Sequence, residues 1–80
     1  MKVYILTPEK TLYEGEAKAI IVPGSHGQFE VLDRHAPIVS SLTKGSVLLT
    51  DTSGQKHDFP ISKGFIEVMQ NEVNVLVRQG

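Results

Sequence analysis

Cysteine and tryptophan are both missing from this 80-residue chain, and each absence removes a class of protein. Without cysteine there is neither a disulfide framework nor a thiolate metal site, which fits a reducing compartment. Aromatic residues make up only 6% of the chain, too few for the stacked platforms that hold single-stranded bases. The net charge is -1 with 21% charged residues. No basic field is offered to a phosphate backbone, so nucleic acid is not an expected partner. Uninterrupted apolar runs stop at about four residues, as at 19–22, far short of the ~20 a membrane-spanning helix needs. Met1-Lys2-Val3 opens no signal peptide. The expectation is one soluble domain, residues 1–80, with roughly 4,800 Å² of accessible surface by mass scaling.

What the chain does have is alternation. Apolar residues recur at every second position and no eleven-residue window carries a helical stripe, so the fold class is all-β: a flattened β-barrel or β-sandwich of roughly eight to ten short strands. "KVYILT" (2–7) reads as a strand and Thr7-Pro8-Glu9-Lys10 as the turn that ends it. In "TLYEGEAKAIIV" (11–22), Tyr13, Gly15, Ala17, Ala19 and Ile21 alternate with Glu14, Glu16 and Lys18. Gly15 marks a bulge or bend there. Pro23-Gly24 fits the centre of a type II turn. "QFEVL" (28–32), "PIVSSL" (37–42) and "SVLLTD" (46–51) follow as strands. Gly54 takes the left-handed position of a hairpin loop, and Pro60 places 55–62 at a sheet edge. "FIEVM" (65–69) and "VNVLV" (73–77) join through a turn in which Asn71 suits positive φ, with Val73, Val75 and Val77 inward.

Three histidines near Asp33 and Asp58 invite a metal or catalytic reading, because imidazole exchanges protons near neutral pH and binds divalent metals. Their spacing opposes it. His26, His35 and His57 fall on separate segments without an H-x-H or H-E-x-x-H unit, and no G-x-S-x-G elbow presents a nucleophile. No catalytic residue, metal ligand or cofactor is expected, and no small-molecule substrate. Phe29, Phe59 and Phe65 sit on alternating strands, where core burial is the default. "GEAKAI" (15–20) resembles the lysine hairpin of biotinyl and lipoyl carrier domains, the alternative reading, with Lys18 as acceptor. Lys18 lies mid-run, however, whereas a swinging arm needs a hairpin tip.

Several segments are apolar on both parities: Val3 and Ile5 against Tyr4 and Leu6, Ile38 against Val39, Val47 and Leu49 against Leu48. One set can fill a core while the other meets a partner.

Three blocks, "TPEKTLYEGEAKAIIVPGSHGQFEVL", "HAPIVSSL" and "GFIEVMQNEVNVLV", resemble in order and spacing the N-terminal β-sandwich domain of the epsilon subunit of bacterial F-type rotary ATP synthases. Two features depart from that pattern. Asp33-Arg34 replaces a common Pro-Gly before the His-Ala-Pro signature, and Lys63 stands where a second glycine is usual. The resemblance implies a non-catalytic rotor subunit of the central stalk. It is expected to join the gamma subunit to the c-ring, to couple proton or sodium translocation to ATP synthesis, and to lie peripherally on the cytoplasmic face of the bacterial inner membrane, held there only through the complex. It further implies gamma contacts at Thr7, Ser40 and Leu42, and ring contacts at His26, Gln28, Glu30 and His35. Longer members continue into two C-terminal helices that restrain ATP hydrolysis. For a chain ending at Gly80 the expectation is assembly and coupling without that restraint.

Overall fold

A computed structural model describes residues 1–80, and every regular element in it is a strand. In chain order these are β1 (Lys2–Leu6), β2 (Thr11–Gly24), β3 (Gly27–Leu32), β4 (Ile38–Leu42), β5 (Gly45–Asp51), β6 (Lys56–Ile61), β7 (Lys63–Met69) and β8 (Glu72–Arg78). They pair in the order β1-β8-β7-β4-β2-β5-β6, with β3 added to β2. Because β1 also pairs with β2, the sheet partly closes on itself. The result is two facing layers. One holds β4, β7, β8, β1 and the first half of β2; the other holds β3, the second half of β2, β5 and β6.

The long strand β2 serves both layers, and a bulge lets it cross between them. Ala17 pairs with Asp51 but Ala19 pairs with Thr50, so Lys18 is an extra residue and the inward parity flips. Before it, Tyr13, Gly15 and Ala17 face in. After it Ile20 and Val22 are fully buried, while Ala19 and Ile21 are only partly so. The bulge is therefore at Lys18 rather than at Gly15, which pairs regularly with Val3. Gly15 has a different purpose: the Tyr13 ring lies over it, and a Cβ there would come within 3.3 Å of the Tyr13 hydroxyl. A second register shift, between Ile5 and Leu6, leaves Leu12 as an extra residue.

Pro23 and Gly24 belong to β2, not to a turn. The reversal is two positions later, a two-residue hairpin at Ser25-His26, with Gly24 paired to Gly27 and Gly27 at φ 125°. Gly24 is needed because its strand neighbours crowd it: a Cβ would stand 2.6 Å from the Gly27 carbonyl oxygen. The β7–β8 hairpin turns through Gln70 (φ 51°) and Asn71 (φ 61°), the paired positive values of a type I′ turn. Gly54, at φ 90°, and the edge position of β6 with its Pro60 match the alternation argument.

Sixteen buried apolar side chains form one cluster, among them Val3, Ile5, Ile20, Leu49, Ile66 and the inward valines of β8. No polar or charged side chain is buried with them. Burying a Val or Ile side chain contributes roughly 1.5–3 kcal/mol each before entropy is counted. The accessible surface is 4778 Å², in line with the mass scaling.

Candidate docking surfaces

The outward residues of the first layer form four cross-strand rungs, because side chains on one face repeat every second residue. Lys63 and Arg78 pair across β7 and β8 as the first rung. Leu6, Leu76, Phe65 and Ser41 make the second, running across β1, β8, β7 and β4. Tyr4, Asn74, Glu67 and Val39 make the third, and Lys2, Glu72 and Met69 the fourth. Phe65 is 42% exposed and Leu76 50%, so Phe65 is an exception to core burial. Phe29 and Phe59 do pack against the core. The second rung floors an open groove of about 640 Å³, walled by Thr7 and Pro8 on one side and rimmed by Lys63 and Arg78. The parity expectation holds here: Val3 and Ile5 are buried while Tyr4 and Leu6 face out half-buried.

Of the three residues expected against gamma, one has a side chain withdrawn from the surface. Leu42 is buried in the core at 4% exposure, although it also lines the groove, and Ser40 shares its inward parity. Strand alternation instead turns Val39 (60% exposed) and Ser41 outward. Thr7 does border the groove, but its hydroxyl is committed to its own turn: Oγ1 accepts from the Glu9 and Lys10 amides at 3.2 and 3.0 Å.

The four residues expected at the ring do not share one end of the domain. His26 tops the β2–β3 hairpin, and Gln28 follows two residues later. This tip is tied to β4, where Ser25 Oγ and Ser41 Oγ lie 2.8 Å apart and the Ser25 amide donates to the Ser41 carbonyl at 3.0 Å. Glu30 lies further along β3, beside Leu48 and Lys56 over a smaller depression of about 430 Å³ on the second layer. His35 lies beyond the far end of β3, which at ~3.3 Å per residue is about 16 Å from the hairpin tip. The uninterrupted six-residue strand separates His26 from His35.

That far end is pinned by a polar cluster in which sequence-distant groups meet. Asp33 Oδ1 accepts from the Met1 amine at 3.0 Å and from Asn71 Nδ2 at 2.9 Å, while Asn71 Oδ1 accepts from the Arg34 amide at 2.7 Å. Arg34 itself takes positive φ (65°) to make the turn. The Asn71 amide, then the Met1 ammonium, hold the Asp33 carboxyl below the usual range. Burial pulls the Met1 amine down, but its contacts with Asp33 and Glu16 outweigh this and raise it above its ordinary value.

His57 takes part in a structural pairing. Its Nε2 lies 2.9 Å from Asp51 Oδ2, its ring stacks on Phe59 and meets Tyr13 edge-on at 5.3 Å. Asp51 Oδ1 also accepts from the Ser53 and Gln55 amides, closing the β5–β6 hairpin. The His57 bond and then Ser53 hold the Asp51 carboxyl well below the usual carboxylate range. No three His, Asp or Glu side chains converge. Lys18, the carrier candidate, stands inside β2 at the bulge and not at a hairpin tip.

What these surfaces define is a β-sandwich domain with an apolar, charge-rimmed outer face on one layer and a stiff polar hairpin tip. The family model described as "ATP synthase, Delta/Epsilon chain, beta-sandwich domain" matches residues 1–80, and the chain belongs to that family. The ATP synthase epsilon chain of Leptospira interrogans serovar copenhageni is 40% identical over 81 residues, covering 100% of this chain and 62% of that protein. The epsilon chain of Chlorobaculum tepidum is 37% identical over 75 residues, 94% of this chain and 85% of that protein. This chain thus spans less than two thirds of the Leptospira relative. Among solved structures, a chain in the central stalk and c-ring structure of Tetrahymena thermophila mitochondrial ATP synthase superposes at a TM-score of 0.82 with 17% identity, over 99% of this chain and 63% of that one. A chain in the OSCP/F1/c-ring structure of the Euglena gracilis mitochondrial enzyme gives 0.87 with 23% identity, over 94% and 48%. Those two likenesses establish the fold.

Proposed function

We propose that this chain is the β-sandwich part of an epsilon-type rotor subunit of a bacterial F-type ATP synthase. In this reading it performs no chemistry. It joins the gamma subunit to the c-ring at the cytoplasmic face of the membrane and helps transmit ion-driven rotation to ATP synthesis. The observation that carries the reading is the outer face of β1, β8 and β7, where Leu76 and Phe65 stand exposed beside the half-buried Leu6 although the domain has a complete core of its own. A patch of this kind marks a protein partner. A standard interface takes ~800 Å² from each partner, about one sixth of the 4778 Å² available. Gamma covers this face, with Thr7 and Ser41 at its border.

Mechanical coupling sets the demand on the joint. Each elementary charge crossing the membrane releases roughly 2.3 kcal/mol per 100 mV, so several must be accumulated per nucleotide and a slipping contact would dissipate them. The opposed layers and the Ser25–Ser41 tie make the hairpin end stiff. His26 and Gln28 meet the polar loops of the ring there.

Affinity-tagged chain, expressed in its native host and recovered from detergent-solubilised membranes, should bring gamma and the c-ring with it in stoichiometric amounts. Recovery of the tagged chain alone, in membranes where the intact enzyme is present, would overturn the reading.

A further inference from the structure

The outer face is polarised along its strands, and that polarity makes it complementary to itself. On β7 the outward series is Lys63, Phe65, Glu67, with Phe65 midway between a cation and an anion. On β8 the facing series is Arg78, Leu76, Asn74. At ~3.3 Å per residue the charges of Lys63 and Glu67 issue from points about 13 Å apart, with the apolar rung between them. Neither charge is spent within the chain. The ion pairs present involve Met1 with Glu16 and Asp33, and His57 with Asp51, and none involves Lys63, Arg78 or Glu67.

Two copies meeting face to face can be related by a twofold axis lying in the plane between them. An axis parallel to the strands stacks each rung on its own counterpart, bringing Lys63 and Arg78 against the same cations, which is repulsive. An axis along the Leu6-Leu76-Phe65 rung reverses strand direction. It then sets Lys63 of each copy over Glu67 of the other, Arg78 over Asn74, and the Phe65 and Leu76 side chains over their equivalents. Such an isologous contact uses every favourable pair twice. Sheets pack face to face at a small angle, which suits a four-strand surface of this kind.

We propose that the free chain forms a twofold dimer through the outer face of β7 and β8, with Lys63 of each copy paired to Glu67 of the other around a Phe65–Leu76 centre. The dimer is weak and reversible, because one apolar rung makes an interface at the small end of the range. Resting on the reading given under Proposed function, it covers the gamma-binding face until gamma displaces the second copy, so a free subunit does not carry an uncovered sticky patch.

Sedimentation equilibrium of the 80-residue chain between about 10 µM and 1 mM at low salt should show the monomer–dimer transition, weakening as added salt screens the pairs. Lys63→Glu alone and Glu67→Lys alone each set like charges opposite one another. Each should raise the dissociation constant by about tenfold or more. An equimolar mixture of the two variants should dimerise again, because both cross-pairs then have opposite signs, and so should the double variant. Both positions face outward, so circular dichroism should show each variant folded. A parent chain that stays monomeric at 1 mM, or a mixture that dimerises no better than either variant alone, overturns the proposal. Added gamma separates the two readings. If the dimer and charge exchange behave as stated but gamma binds without dissociating the dimer, the assignment of this face to gamma fails while the dimer stands.

Discussion

Gly24→Ala adds one methyl group where the strand leaves no space for it. An ideal Cβ at that position stands 2.6 Å from the Gly27 carbonyl oxygen and 2.8 Å from Cε1 of Phe29. The backbone at Gly24 is outside the positive-φ region, so restricting the unfolded chain favours alanine by about 0.4–1 kcal/mol. Overpacking opposes it with about 1–3 kcal/mol. The nearest obstacle is a backbone carbonyl inside a two-residue hairpin, which cannot rotate aside as a flexible side chain can. The loss therefore prevails by about 1–2 kcal/mol, and for a domain of this size the midpoint of thermal unfolding falls by about 5–15 °C. Circular dichroism melts with parallel urea titrations measure this directly. Adding Phe29→Leu to Gly24→Ala removes the ring component but not the carbonyl, so part of the loss should return and part should remain. A Gly24→Ala chain that melts at or above the parent temperature refutes the close-approach argument.

Two further outcomes follow from the polar clusters. Asn71→Gly keeps the positive φ of the turn but deletes the bridge to Asp33 and Arg34, so hydrogen exchange at the Arg34 amide should quicken and stability fall by about 1 kcal/mol; unchanged Arg34 exchange would contradict the bridge. Asp51, held low by His57, contributes stability present above the unfolded carboxylate pKa of about 4 and lost as pH falls below it. Asp51→Asn should lower the urea midpoint at pH 7 and flatten its decline between about pH 4 and 2; parallel pH slopes in parent and variant would remove Asp51 as a source of that dependence.

Alternation made the strands legible because one face of each is buried and side chains repeat with period two. Val73, Val75 and Val77 show this most plainly, being buried one and all. Alternation was silent wherever both parities are apolar. In Ala19-Ile20-Ile21-Val22 no polar residue marks the outward side, so the flip at Lys18 leaves no trace in the pattern and Gly15 draws the bulge reading instead. Pro23-Gly24 has turn chemistry, yet tertiary crowding between Gly24 and Phe29 claims the glycine for the strand. Surface grouping was harder still. His26 and His35 are nine positions apart and belong to one loop-rich stretch in sequence, but a straight strand between them sends them to opposite ends. The Asp33–Asn71–Met1 cluster joins residues 32 to 70 positions apart, which no local spacing can reveal. Two of the residues expected against gamma fall on the inward parity of β4: Ser40 and Leu42 point in, Val39 and Ser41 out.

Under the proposed reading, that parity bears on where binding energy lies at the face assigned to gamma. Anchors concentrate in large apolar side chains at the centre of an interface, with near-neutral contacts around them that exclude water. Phe65 meets that description, lying between Leu76 on β8 and Ser41 on β4 in the middle of the exposed rung. Met69 is as exposed as Leu76 but stands two rungs away at the margin beside Glu72. Phe65→Ala should therefore weaken gamma binding by about 2 kcal/mol, roughly 30-fold, and Met69→Ala by under ~1 kcal/mol. Neither side chain belongs to the core cluster, so both variants should melt close to the parent and the affinities compare folded proteins. Calorimetric titration against isolated gamma reads the difference. If Met69→Ala costs as much as Phe65→Ala, the contact is centred on the far end of the sheet, and the groove beneath Lys63 and Arg78 is not its anchor.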